Sequence, residues 1–266
     1  MKNSFISATI VNIVSTASCL AVLASAAGVA DAAEVKFLSA GALTPAMREL
    51  IPQFERSSGH TVTIVYGNIN ALADRVENGE AVDVVITSPA RIEALIKAGR
   101  VVPTTQIKIA GVGAGIAIRK GGPKPDISSV EGLKRTLLAA KSVSYGDPGV
   151  GNPTGIHMTN VIERLGISAE MTTKTKLIRD IPAFVTLFND LGSGATELGI
   201  EQISLIVEAP NIDLAGPLPT AVQSYTQFVA GLVTASTELN AAKALIQFIS
   251  APVAKDILKR KGFDMP

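Results

Sequence analysis

Along residues 35–98 short apolar runs alternate with polar turns and with apolar residues spaced three and four apart. Val35 to Ala40 reads as a buried strand, Gly41 to Pro45 turns it, and Met47, Leu50, Ile51 and Phe54 mark one face of a helix. Pro45 falls in the first helical turn, where its missing N–H costs no bond. Thr61 to Tyr66 predicts a second strand, and the loop Gly67-Asn68-Ile69-Asn70 leads into a helix from about Ala71 to Asn78. Asp83 to Thr87 predicts a third strand, after which Ser88-Pro89 opens the helix Ala90 to Ala98. Strand, loop and helix repeated in this way predict a parallel sheet with right-handed crossovers. The loops then gather at the carboxyl ends of the strands, where open α/β sheets bind ligands.

Ile107 to Arg119 is a long, nearly uncharged strand-like run, broken by Lys120-Gly121-Gly122-Pro123-Lys124-Pro125. A second α/β series begins at the helix start Ser129-Val130-Glu131. Within it, Lys141 to Gly166 passes from a strand ending at Tyr145 through Asp147-Pro148-Gly149 and Gly151-Asn152-Pro153-Thr154-Gly155 into a helix with apolar Ile156, Val161, Ile162 and Leu165. A Gly-rich loop feeding a helix start suits an anion, because the first N–H groups are unpaired and the macrodipole is positive there. A helix start capped by Thr154 with nothing bound fits the same residues. Thr175 to Leu177 and Leu198 to Gln202 read as strands, Ala183 to Leu191 as a helix, and Pro210 to Pro219 as loop. Thr226 to Val233 is a strand again, followed by helices Leu239–Ser250 and Ala251–Lys261. Two α/β lobes are expected, residues 33–115 with 222–266 and residues 116–221, with the ligand between them.

Composition narrows the setting. Lys2, the apolar run from about Phe5 to Ala27 and the small-x-small triplet Ala30-Asp31-Ala32 predict a secretory signal peptide over residues 1–32, with the mature chain starting near Ala33. The single cysteine, Cys19, falls inside that segment, so no disulfide or thiolate metal site is expected. With 24 Lys and Arg against 23 Asp and Glu and no basic run, nucleic acid and anionic membranes are not expected partners. An exported, periplasmic protein is expected, a monomer without cofactor or metal. There is no Gly-x-Ser-x-Gly elbow, and Gly111-Val112-Gly113-Ala114-Gly115 lies inside a strand-like run without the following helix that a dinucleotide site needs.

The segments SAGALTPAMRELIPQFERSSG, ALADRVENGEAVDVVITSP, Gly146-Asp147-Pro148, Leu198-Gly199-Ile200 and AAKALIQFISAPVAKDILKRKGF occur in this order over nearly the whole mature chain. Together they resemble the periplasmic molybdate-binding proteins of ABC transporters. That resemblance implies a type II periplasmic binding protein fold: two α/β lobes, each a mostly parallel sheet flanked by helices, with an oxyanion hydrogen-bonded between them. It also implies an ABC transporter permease as partner.

Taken residue by residue, the family's ligands are altered. Its first-loop serine corresponds to Ala42, a serine of its second loop to Ile69 between Asn68 and Asn70, and its tyrosine donor to Gln202. Backbone donors fall near Thr154 and Ile181, and Ser39, next to last in the first strand, is a further candidate for ligand binding. Each lost hydrogen bond to a charged ligand costs about 1.5–3 kcal/mol, which weakens the case for molybdate. Arg179 is a gain, since a guanidinium grips a carboxylate through two parallel bonds, although beside Asp180 it equally fits a surface ion pair. Glu201 and His157 add groups that move protons. Two readings stay open. One is a solute-binding protein for a small di- or tricarboxylate or another oxyanion. The other is an enzyme on the same scaffold, as in a bacterial aconitate isomerase that is similar to this family, with Glu201 or His157 transferring the allylic proton.

Overall fold

The expected units near the start form as β1 (Glu34–Ala40) with α1 (Thr44–Ser58), β2 (Thr61–Gly67) with α2 (Ile69–Glu77), and β3 (Val84–Thr87) with α3 (Pro89–Lys97). They belong to a computed structural model that describes residues 32–179 and 183–264. The expected signal segment, apart from Ala32, lies outside the described residues, as does Ile181. From Ala33 onward the chain clusters as one compact unit.

The long apolar run becomes the 13-residue strand β4 (Ile107–Arg119). After it come α4 (Val130–Ala139), β5 (Val143–Gly146), α5 (Pro153–Leu165), α6 (Ser168–Thr172), β6 (Thr175–Ile178), α7 (Ala183–Ser193), β7 (Leu198–Gln202) and α8 (Ile203–Ile206). β8 (Ile212–Pro217), β9 (Tyr225–Leu232), α9 (Leu239–Ser250) and α10 (Pro252–Arg260) complete the chain. The loop expected over Pro210 to Pro219 is therefore corrected to a strand, which pairs antiparallel with β4. Its sequence hides this because Gly216 and Pro217 suppress the alternating pattern, and an edge position tolerates proline.

Strand order is β2-β1-β3-β9-β4-β7-β5-β6, with β8 on β4. The two ends of this sheet are parallel, β1 with β2 and β3 at one end and β5 with β6 and β7 at the other. Its centre is antiparallel, and β4 carries the change: Ile107 to Gly113 pair with β9, whereas Ala114 to Ala117 pair with β7.

Strand alternation distributes the core to both faces of each half. On β1, Phe37 packs with α1, α9 and α10 through Leu50, Leu245 and Leu258, while Leu38 faces Leu72 and Ile92 of α2 and α3. On β4, Ile116 and Ile118 join Leu133, Met158 and Val161, while Ala117 joins Leu187 and Leu191 of α7. No helix among the described residues is long and apolar enough to cross a membrane.

Candidate anion-binding cleft

Three helix starts converge on one cleft because the strands of each half end there: β1 and β2 deliver α1 and α2 from one half, and β5, which runs opposite to them, delivers α5 from the other. α1 begins after a single 3-10 turn, Gly41–Leu43, that follows β1, and its first turn has no side-chain cap. At α2 the side-chain Oδ1 of Asn68 accepts from the Asn70 N–H at 2.8 Å. The expected cap Thr154 is corrected to Asn152, whose side chain accepts from the Gly155 N–H at 2.9 Å. Thr154 lies one step inside the helix and is buried. Gly155 is required there, because a Cβ would collide with the Gly146 carbonyl at the end of β5.

The cleft has a volume of about 370 Å3. Ala40, Gly41, Ala42 and Thr44 line it from the β1–α1 turn, Tyr66 to Ile69 from the β2–α2 turn, and Asn152 to Thr154 from the start of α5. β7 contributes Glu201 and Gln202, and β9 contributes Thr226 and Phe228. Arg48 and Glu201 are the charged side chains that line it.

Glu201 is buried. Its Oε1 accepts from the Gln202 N–H at 2.7 Å and from the Thr154 hydroxyl at 3.3 Å. Burial pushes its carboxyl up to about 7, and these two bonds oppose the shift. Gln202 donates from Nε2 to the Thr226 hydroxyl at 3.2 Å. Tyr66 has its phenol raised by burial, an effect the positive charge of Arg48 partly offsets.

Of the residues singled out in the sequence, Ala42, Asn68, Thr154, Gln202 and Glu201 line this cleft together. Ser39 is buried below it, and its hydroxyl has no hydrogen-bond partner among the described residues. Asn70 is exposed at the rim beside Gly151. Arg179 lies outside the lining: its Nε donates to Asp147 Oδ2 at 2.6 Å, and its side chain is 81% exposed. The Gly149 N–H and then Arg179 hold the Asp147 carboxyl below its ordinary range. His157 is also outside the lining, with Nε2 2.8 Å from the Val222 carbonyl oxygen. Burial holds its imidazole below the usual value, the Val222 bond opposes this, and Arg164 adds to it.

Arg48 escaped the sequence reading although a signal existed. It stands four residues after Thr44, so both lie on one helix face above the sheet edge. No three His, Cys, Asp or Glu side chains among the described residues cluster as a metal site.

Comparison with known proteins is consistent with this geometry. Residues 35–264 match bacterial extracellular solute-binding proteins. The chain is 26% identical over 231 residues to an aconitate isomerase of a Pseudomonas species, covering 85% of each chain. It is 25% identical over 242 residues to the molybdate-binding protein ModA of Azotobacter vinelandii, covering 89% of this chain and 92% of that one. The solved periplasmic molybdate-binding protein of Azotobacter vinelandii superposes with a TM-score of 0.72 at 20% identity, over 87% of this chain and 99% of that one. The fold is thus the two-lobed type II periplasmic binding protein fold.

Proposed function

The chain belongs to the bacterial extracellular solute-binding proteins, and from that premise we propose that its cleft captures a small organic polycarboxylate. The observation that carries this is the convergence of the α1, α2 and α5 starts on one cleft of about 370 Å3. The positive dipole ends, with the N–H groups that the Asn68 and Asn152 caps leave over, favour an anion there. Apolar walls at Ile69, Val150, Ile178 and Phe228 leave room for a carbon skeleton beyond a bare oxyanion. The sites corresponding to serine and tyrosine donors of the molybdate-binding proteins hold Ala42 and Gln202, which favours an organic acid over molybdate.

Residues 33–115 with 222–266 form one lobe in this reading and residues 116–221 the other. The change of β4 partners between Gly113 and Ala114 supports that division. The ligand completes hydrogen bonds from both lobes and thereby shifts an open-closed equilibrium toward closure. Residues 1–32 act as the export signal, and the loaded monomer delivers its solute to an ABC-type permease.

Glu201 favours a second reading, aconitate isomerisation. A carboxyl near 7 is close to half ionised at neutral pH, as an acid and base in turn must be. Its carboxylate takes a proton from the methylene carbon of cis-aconitate, the double bond shifts, and the same group returns a proton to the former vinylic carbon. The helix starts stabilise the dienolate charge meanwhile. His157, held by the Val222 carbonyl outside the cleft, has no part in this route.

Isothermal titration calorimetry with cis-aconitate, trans-aconitate, citrate and molybdate, paired with proton NMR of cis-aconitate in deuterated buffer, separates the readings. Carboxylate binding without conversion establishes a receptor. Growth of the trans-aconitate signal, lost in Glu201→Gln, establishes the isomerase. Molybdate binding alone rejects both.

A further inference from the structure

We propose that Arg48 is the residue that grips the ligand's carboxylate and so selects carboxylates over other solutes, an inference that rests on the polycarboxylate reading above. Arg48 is the positively charged side chain lining the cleft. It also lines a second hollow of about 280 Å3 between α1 and α7, which shares Thr44, Phe184 and Leu205 with the cleft. Its side chain therefore borders open space on two sides.

Its charge is free to act. Among the described residues Arg48 forms no ion pair, whereas Arg75, Arg91, Arg135, Arg179 and Arg260 each hold a carboxylate. The neighbouring carboxylate, Glu49, is turned to Arg260 at 2.8 Å and to Lys261 at 3.8 Å, so it does not neutralise Arg48. Glu208, which lines the second hollow with Arg48, is paired with Lys261 at 3.0 Å. The acidic residue that lines the cleft, Glu201, comes from the opposite half of the sheet and is bonded to Thr154 and Gln202. The field of Arg48 reaches the cleft wall, as its lowering effect on the Tyr66 phenol shows.

A guanidinium with its fork unoccupied matches two coplanar carboxylate oxygens, which an ammonium cannot do. The α1 start, on the same helix one turn earlier, reinforces the preference for negative charge. Arg48 thus supplies directional recognition, and the helix starts supply a general bias toward anions.

The test is calorimetric titration of trans-aconitate and citrate into the wild-type protein and the Arg48→Ala, Arg48→Lys and Arg56→Ala variants. Arg48 and Arg56 are both exposed on α1, so melting temperatures should stay together and report intact folding. We expect Arg48→Ala to weaken binding at least about tenfold, Arg48→Lys to recover only part of it, and Arg56→Ala to match wild type. Wild-type affinity in Arg48→Ala overturns the role of Arg48 and leaves the polycarboxylate reading standing. Absence of carboxylate binding by the wild-type protein overturns both.

Discussion

Glu201 gives up its proton at a cost to the folded state once the pH rises through neutral, because the ionised form is the one that burial penalises. Its carboxyl lies near 7 in the native protein, against about 4.5 for an ordinary glutamate in the unfolded chain. Between those values the native state binds more protons than the unfolded one, so this group's contribution to stability falls as the pH rises from about 4.5 to 7. Above 7 the loss is complete and constant. Glu201→Gln removes the titration while keeping the shape, and it should gain on the order of 3 kcal/mol relative to wild type between pH 4.5 and pH 8. Urea unfolding of both proteins at the two pH values measures that double difference, and no change would mean that Glu201 does not titrate in this range. Gly155 tests packing at the same scale. Gly155→Ala sets a methyl against the Gly146 carbonyl, and we expect it to cost more than about 2 kcal/mol in the same assay.

Among the elements, β4 and the β2–α2 turn hold the halves of the sheet together. Where β4 changes partners, the Gln223 side chain takes the place of a strand: its Oε1 accepts from the Ala114 N–H at 3.0 Å and its Nε2 donates to the Ala114 carbonyl at 2.9 Å. Gln223→Ala leaves the Ala114 N–H without this partner and should lower unfolding free energy by about 1–3 kcal/mol in urea titrations. At the β2–α2 turn, Asn68 Nδ2 donates to the Gly151 carbonyl at 3.2 Å, joining this turn to the loop before α5. Asn68→Asp preserves the helix cap but turns that donor into a repelling acceptor. Its ligand-free radius of gyration should exceed that of wild type in small-angle scattering, with helix content unchanged by circular dichroism. These elements also show which features a sequence exposes. The glycines at 111 and 113 were visible only as an odd run inside a strand. The structure supplies their reason, since side chains there would meet Gln227 and Gln223 lying across the strand. β1 to α3 were legible because the helices carry periodic apolar faces and β1 and β3 are short apolar runs bounded by turns. β8 was not, because its pairing with β4 comes from a partner far away in the chain. Arg48 was hidden for a related reason: helix periodicity places it beside Thr44, but nothing local shows that two other helix starts meet there.

At the scale of the whole molecule, the first half of the sheet is built from both ends of the chain. β9 sits between β3 and β4, and Leu245, Ile249, Ile257 and Leu258 of the last two helices complete the core over β1. A fragment of residues 33–222 should therefore lack a cooperative thermal transition, whereas residues 33–266 should melt cooperatively. The same topology sets a clock for synthesis. A chain emerging amino end first has β1, β2 and β3 exposed to the surroundings long before the strand that seals them exists. Until the last forty or so residues arrive, the order of the strands should keep the nascent chain pliable, which is the state that the proposed export through a translocation channel would need.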